Sequence, residues 1–96
     1  MVYTVAELKK ILTPIFQQNG VRQAILFGSY AKGTATAKSD VDILVDSGLR
    51  GLAFFGLLEE VTAALDSPVD LLDVTQIRQS SSIDQEIRES GVEIYG

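Results

Sequence analysis

The segment GSYAKGTATAKSDVDILV, residues 28–45, decides the fold. It follows a short apolar run (residues 24–27), and in its second half Val41, Ile43 and Val45 occupy every second position. A period of two is typical of a β-strand, because successive side chains point to opposite faces. The segment therefore predicts two neighbouring strands that are joined by a turn and a polar loop.

Helical spacing precedes this segment. Thr4 and Glu7 form a capping box, in which each side chain can bond the other residue's backbone amide, and apolar residues follow at intervals of three and four. Gly20 is a natural end for this helix. Pro14 inside it is expected to kink it or to loosen its last turn.

A second helical stretch follows the segment. Its apolar stripe recurs at intervals of four, three and four residues, and its members are Phe54, Leu58, Val61 and Leu65. Leu57 and Ala64 flank this stripe, whereas Leu52 and Phe55 are expected to point outward. Large apolar side chains on an exposed face can mark a partner surface. The alternative is that a nearby loop covers them.

The rest of the chain predicts three more elements. They are a strand over residues 69–74, a helix over about residues 83–89 and a last strand over residues 92–95. The order α-β-turn-β-α-β-α-β indicates an α/β fold, with a mixed sheet of about four strands flanked by helices. We assign residues 1–96 to a single domain.

The composition limits the chemistry available to these 96 residues. The sequence has no Cys, which excludes disulfides and thiolate metal sites, and no His, which excludes histidine-based triads, histidine-ligated zinc and histidine acid–base catalysis. The net charge of -5 argues against a protein whose main role is to bind nucleic acid. No apolar run approaches the roughly 18 residues that cross a bilayer, and residues 1–10 show no secretory signal. We therefore expect a soluble, cytoplasmic protein.

Two carboxylates stand at the start of the second predicted strand. Asp40 and Asp42 are two positions apart, which directs both side chains to one face with Cβ atoms roughly 6–7 Å apart. Like charges on a half-buried face repel each other unless a cation cancels them, and Mg²⁺ prefers oxygen ligands of this kind. The alternative is a solvated strand entrance, since surface acids are common.

Gly28 and Ser29 directly follow the first predicted strand. Such a turn offers backbone N–H groups and a hydroxyl to an anion, and glycine allows close approach of the backbone. Alone the turn is weak evidence, but here it lies just upstream of the acidic pair, on the strand expected to lie beside it. A phosphate cradle that faces metal-binding carboxylates is the arrangement that phosphoryl transfer needs.

The combined pattern resembles a known family. GSYAKG at residues 28–33 and SDVDILV at residues 39–45 place ten residues between Gly-Ser and Asp-x-Asp. This spacing resembles the signature of the DNA polymerase β-like nucleotidyltransferase superfamily. The short chain, together with VDLL at residues 69–72 and EIY at residues 93–95, is similar to the minimal nucleotidyltransferase branch of that superfamily.

The resemblance implies a role for each matching position. Asp40 and Asp42 would coordinate the metal ions, and the turn at residues 28–29 (Gly-Ser) would contact the outer phosphates of a nucleotide. Asp70 would be the third carboxylate, which holds the catalytic metal and helps to activate an acceptor hydroxyl. Lys32 stands where the family usually has Arg, so it keeps the charge but lacks the planar, two-pronged donor.

The residues alone leave the third carboxylate open. Asp70 opens a strand directly after a chain breaker, as Asp40 does, so it can stand level with the acidic pair. Asp73 points to the opposite face of the strand. Asp46 and Asp66 lie in turns, where solvated acids are common.

The resemblance also implies a reaction and a partner. The reaction would be a Mg²⁺-dependent transfer of a nucleoside monophosphate, with two metal ions and with ATP as the donor. The implied acceptor is a tyrosine hydroxyl of a helical HEPN-type toxin, with this chain as its antitoxin.

Two alternatives to this reaction stay open. One is a non-catalytic antitoxin that blocks its partner through Leu52 and Phe55, and the other is a small-molecule nucleotidyltransferase subunit that forms its acceptor pocket in a dimer. We expect no membrane partner and no direct nucleic-acid binding. Tyr30 and Tyr95 are expected to pack rather than to contact a ligand.

Overall fold

The computed structural model describes residues 2–77 and 82–96, with a four-stranded sheet at its centre. The strands follow the spatial order β3-β2-β1-β4 and are β1 (Gln23–Phe27), β2 (Val41–Asp46), β3 (Val69–Asp73) and β4 (Val92–Tyr95). Strand β1 runs antiparallel to both β2 and β4, whereas β2 and β3 are parallel. The predicted mixed sheet of four strands is confirmed.

The helices follow the predicted order. They are α1 (Val5–Gln18), α2 (Gly28–Lys32), α3 (Leu52–Leu65) and α4 (Ser82–Ser90), with a 3₁₀ turn at Val74–Gln76. Strand β3 ends one residue earlier than predicted, because the Asp73 side chain accepts from the Thr75 amide and begins the 3₁₀ turn there. Among the described helices, none has both the length and the apolar character needed to cross a bilayer.

Helix α1 begins at the predicted capping box. The Glu7 amide donates to Thr4 Oγ1 at 3.1 Å, and the Thr4 amide donates to Glu7 Oε1 at 2.9 Å. The helix continues through Pro14 to Gln18, so the proline does not end it. The backbone and side-chain N–H groups of Asn19 both donate to the Ile15 carbonyl and close the last turn.

The strand register gives the sheet two different faces. One face carries the central apolar residues of β1 and β2, which pack with α1 and α3 in the core: Ala24, Leu26, Val41, Ile43 and Val45. The opposite face carries Ile25 and Phe27, whose partners across the β1–β2 ladder are Leu44 and Asp42. Helix α4 contacts β1 and α2, and Gly91 after its end lies against Ile25. The acidic position of β2 therefore lies on the α4 side of the sheet.

Helix α3 is rotated slightly from the predicted orientation. Its fully buried residues are Leu57, Val61 and Leu65, whereas Phe54 and Leu58 are only half-buried. The prediction that Ala64 flanks the buried stripe is wrong, since Ala64 is exposed. The buried stripe of α3 therefore consists of Leu57, Val61 and Leu65, and the helix packs against α1 and β3.

Candidate active site

The parallel pairing of β2 and β3 brings two acidic residues side by side. Asp42 and Asp70 are direct partners in the register of these strands, and paired strands lie about 4.8 Å apart. Both residues stand near the start of their strands, so neither is deep in the sheet. The structure thus places Asp70 beside Asp42, as the family resemblance implies.

Asp40 lies one residue before β2 and is exposed. It is close enough to Asp42 for its negative charge to act on that carboxyl. Asp40 was predicted at the start of the strand, but the first ladder position of β2 is Val41, whose amide donates to the Pro68 carbonyl at 3.0 Å. Asp40 therefore sits at the open end of the strand, in contact with solvent.

Asp42 has the most perturbed environment of these acids. Its pKa is raised from 3.8 to about 6, first by burial and then by the negative charges of Asp70, Asp40 and Glu86. Three further carboxylates thus act on a single half-buried one, and among the described residues no cationic side chain is one of the groups that shift its pKa. A site with this excess of negative charge is suited to a divalent cation.

The Gly28 turn lies directly against Asp42. Gly28 follows Phe27, which is opposite Asp42 in the β1–β2 register. Its φ angle of +72° lies in the left-handed region, and a Cβ atom at this position would overlap Asp42 Oδ2. Glycine is therefore favoured here by its backbone conformation, and any larger residue would also have to displace the Asp42 carboxylate. The Gly28 backbone therefore lies so close to the Asp42 carboxylate that no side chain fits between them.

Lys32 forms an ion pair with a residue that no sequence pattern indicates. Its Nζ atom lies 3.0 Å from Oε1 of Glu86, which belongs to α4. The two side chains are 50% and 31% exposed. Glu86 is separated from Asp42 by more than forty residues of sequence. No motif marks it, and only the packing of α4 against α2 brings it to the site.

The other candidates for a third carboxylate have structural roles. Asp73 accepts from the Ser47 amide at 3.1 Å and hydroxyl at 2.6 Å, and also from Thr75. Burial opposes ionisation of Asp73, but these hydrogen bonds prevail and lower its pKa from 3.8 to about 2. Asp46 pairs with Arg22, and Asp66 caps α3 in a left-handed conformation. Asp70 is the one that faces Asp42.

The acidic residues surround an open site rather than forming a closed cage. Within residues 2–77 and 82–96, no group of three or more acidic side chains converges tightly enough to bind a metal ion by itself. Mg²⁺ generally takes only one or two protein carboxylates and completes its shell with water and substrate phosphates. Asp42 and Asp70, which are paired across the two strands, fit that preference, and the exposed Asp40 lies beside them at the open end of β2.

Two tyrosines pack against other residues as predicted, and the outer face of α3 is exposed as predicted. Tyr30 is buried in the core, and the rings of Tyr95 and Phe16 pack with their centroids 5.6 Å apart. Leu52 is 89% exposed and Phe55 is 53% exposed. No described segment covers Leu52, so the alternative of a covering loop is not supported.

The sequence of this chain matches a family model and two named relatives. Residues 9–96 match the family model described as polymerase beta, nucleotidyltransferase. The chain is 47% identical over 47 residues to the protein adenylyltransferase MntA of Thermococcus cleftensis, a match that covers 45% of this chain and 48% of that protein. A protein of Methanocaldococcus jannaschii, named provisionally as a protein adenylyltransferase, is 45% identical over 42 residues, which is 44% of this chain and 45% of that protein. The chain therefore matches about half the length of these relatives.

Solved structures share the fold over most of the chain. A toxin–antitoxin crystal structure with AMP-PNP matches with a TM-score of 0.74 at 30% identity, over 92% of this chain and 73% of that one. A tri-AMPylated Shewanella oneidensis HEPN toxin in complex with an MNT antitoxin matches with a TM-score of 0.69 at 26% identity, over 97% and 73%. The family model covers nearly the whole sequence. The chain therefore belongs to the polymerase beta nucleotidyltransferase family.

Proposed function

We propose that this protein transfers AMP from ATP to a hydroxyl group of a partner protein. The observation that carries the proposal is the pairing of Asp42 with Asp70 across β2 and β3, with the Gly28 turn held against Asp42. A phosphate-sized anion at this turn would lie beside two carboxylates, which is an arrangement suited to phosphoryl transfer. Relatives named protein adenylyltransferases support AMP as the group that is transferred.

The roles of the chain's residues follow from their positions. The Gly28–Ser29 turn binds the outer phosphates of the nucleotide through its backbone and the Ser29 hydroxyl. Lys32, on the same short helix, adds a positive charge to this end of the site. Asp40, Asp42 and Asp70 would hold Mg²⁺, which would offset their mutual repulsion and the charge of the phosphates.

The reaction is a substitution at the α-phosphorus. The acceptor hydroxyl oxygen forms a bond to this phosphorus, and the bond from the phosphorus to the bridging oxygen of pyrophosphate breaks. The acceptor proton passes to a carboxylate oxygen of Asp70, which also orients the hydroxyl. With no His in the chain, a carboxylate is the base that the sequence offers.

A HEPN-type toxin is the proposed partner, and a tyrosine hydroxyl of that toxin is the proposed acceptor. The toxin–antitoxin complexes that share this fold support that partner. The exposed pair Leu52 and Phe55 on α3 offers an apolar surface on which a helical protein can dock. Because ATP is abundant in the cytoplasm, we place the reaction there.

Neutralisation by binding alone is the second candidate function. It is favoured by the exposed side chains of Leu52 and Phe55 on α3. It is also favoured by the ion pair of Lys32 with Glu86, which competes with a phosphate for the ammonium group. A pure binding protein, however, gains nothing from the repulsion among Asp40, Asp42 and Asp70. The two candidates differ in whether the partner acquires AMP.

Transfer of label from α-labelled ATP tests the proposal. The protein is incubated with Mg²⁺ and a lysate of the source cells, as wild type, as Asp42→Asn and as Asp66→Asn. Asp66→Asn is the matched control, because it makes the same chemical change at an exposed position that tolerates Asn. Wild type and Asp66→Asn should label one protein, and Asp42→Asn should not. Capture of a partner that acquires no label from any NTP would favour the binding candidate.

A further inference from the structure

The ion pair between α2 and α4 joins two parts of the chain that are far apart in sequence. Lys32 is the last residue of α2, and Glu86 lies in the middle of α4, 54 residues later. The ion pair Arg88–Asp84, by contrast, stays within α4. The Lys32–Glu86 pair therefore ties the helix that carries the phosphate-binding turn to a different element of the fold.

Glu86 also reaches the acidic cluster. Its negative charge is one of those that raise the pKa of Asp42, so its carboxylate lies within electrostatic reach of that residue. An anionic carboxylate thus already pairs with the lysine that the proposed function assigns to the phosphate end of the site. Phosphate and carboxylate are the two groups that a lysine ammonium binds most strongly.

The Lys32–Glu86 ion pair is exposed enough for another anion to replace the carboxylate. Both side chains retain solvent contact, at 50% for Lys32 and 31% for Glu86. Exposed ion pairs of this kind are weak, because water and salt screen them. A polyphosphate with several negative charges would compete successfully with one carboxylate for the same ammonium group.

We propose that Glu86 competes within the molecule with the outer phosphates of the nucleotide for Lys32. This inference rests on the proposed function. Binding of ATP exchanges the carboxylate for a phosphate and breaks the Lys32–Glu86 ion pair between α2 and α4. Glu86 is thus a positioning residue that holds Lys32 at the site before the nucleotide arrives and lowers the affinity for the nucleotide by that competition.

Nucleotide affinity in a double-mutant cycle tests the proposal. The dissociation constants of ATP and of AMP are measured with Mg²⁺ for wild type, Glu86→Gln, Lys32→Met and the double variant. Glu89→Gln is the matched control, because it removes the same charge from an exposed position on the same helix. AMP is the control ligand, because it lacks the outer phosphates.

Glu86→Gln should tighten ATP binding about two- to fivefold, the range expected for loss of an exposed ion pair. It should leave the affinity for AMP unchanged, and Glu89→Gln should leave both affinities unchanged. In the Lys32→Met background the gain should vanish, since the ammonium group for which carboxylate and phosphate compete is absent.

Three outcomes would overturn the proposal. An equal gain with and without Lys32 would mean that Glu86 acts only through its general charge. Unchanged or weaker ATP binding in Glu86→Gln would mean that the pair serves stability alone. Both outcomes leave the proposed function intact if wild type transfers AMP. Failure of wild type to bind any NTP would overturn the inference and the proposed function together.

Discussion

Replacement of Asp42 by Asn should make the folded protein more stable at neutral pH. The pKa of Asp42 is raised from 3.8 to about 6 by burial and by the carboxylates of Asp70, Asp40 and Glu86. Ionisation of Asp42 is therefore harder in the folded protein than in the unfolded chain. A shift of this size corresponds to about 3 kcal/mol. Because the side chain is only half-buried, solvent screening reduces the effect, and we expect a gain of about 1 kcal/mol.

The pH dependence of the gain follows from the direction of the shift. A carboxyl with a raised pKa in the folded state binds its proton more tightly there, so the folded state loses stability as the pH rises from about 4 to about 6. The destabilisation is complete above that range and absent below it. The difference between Asp42→Asn and wild type should therefore be largest near pH 7.5 and should disappear toward pH 4.

Thermal unfolding without metal measures this difference. For a chain of 96 residues, about 1 kcal/mol raises the Tm by roughly 4–8 °C. Addition of Mg²⁺ should stabilise wild type more than Asp42→Asn and narrow the gap. A variant that is less stable than wild type at pH 7.5, or a gain that does not change with pH, would refute the electrostatic reasoning.

The remaining predictions concern the buried aspartate, the glycine turn and the α3 surface. Asp73→Ala should lower the free energy of unfolding by roughly 2–4 kcal/mol in urea, because it removes several hydrogen bonds to buried or partly buried groups; a loss below 1 kcal/mol would contradict this role. Since its pKa is lowered to about 2, the stability that Asp73 contributes should be present above about pH 4 and be lost as the pH falls toward 2. Gly28→Ala should lower the free energy of unfolding by roughly 2–4 kcal/mol and abolish AMP transfer. Gly20 has a similar φ of +70° but open space around it, so Gly20→Ala should lower the free energy of unfolding by about 1 kcal/mol. Equal losses of stability would mean that only the backbone conformation matters. Leu52→Ser with Phe55→Ser should leave the Tm within a few degrees of wild type but reduce capture of the partner at least tenfold, and unchanged capture would place the partner elsewhere.

Local signals in the sequence predict most of the fold. The capping box at Thr4, the period-two pattern of β2 and the apolar intervals of α3 each depend on residues close together in the chain, so their elements are found in the predicted order. The orientation of α3 was less accurate. Several rotations of an apolar helix bury similar areas, and the approach of α1 and β3 decides among them.

The residues of the candidate site also differ in whether nearby sequence could predict their positions. The Gly-Ser turn and Asp40–Asp42 lie within one short segment, so their proximity could be predicted from spacing and from the family pattern. The position of Asp70 depends on the register between β2 and β3, which one strand does not reveal. Glu86 could not be predicted, because a tertiary contact between two helices brings it to Lys32.

The central claim is that this chain modifies its partner rather than only binding it. The most direct test is intact-mass measurement of the partner captured from cells that produce wild type or Asp70→Asn. Asp70 is exposed and pairs with Asp42 across the sheet, so its replacement should preserve the fold and the capture. We predict that the partner carries added AMP with wild type and none with Asp70→Asn. A partner that is captured and neutralised by wild type, yet has its unmodified mass, would contradict the account.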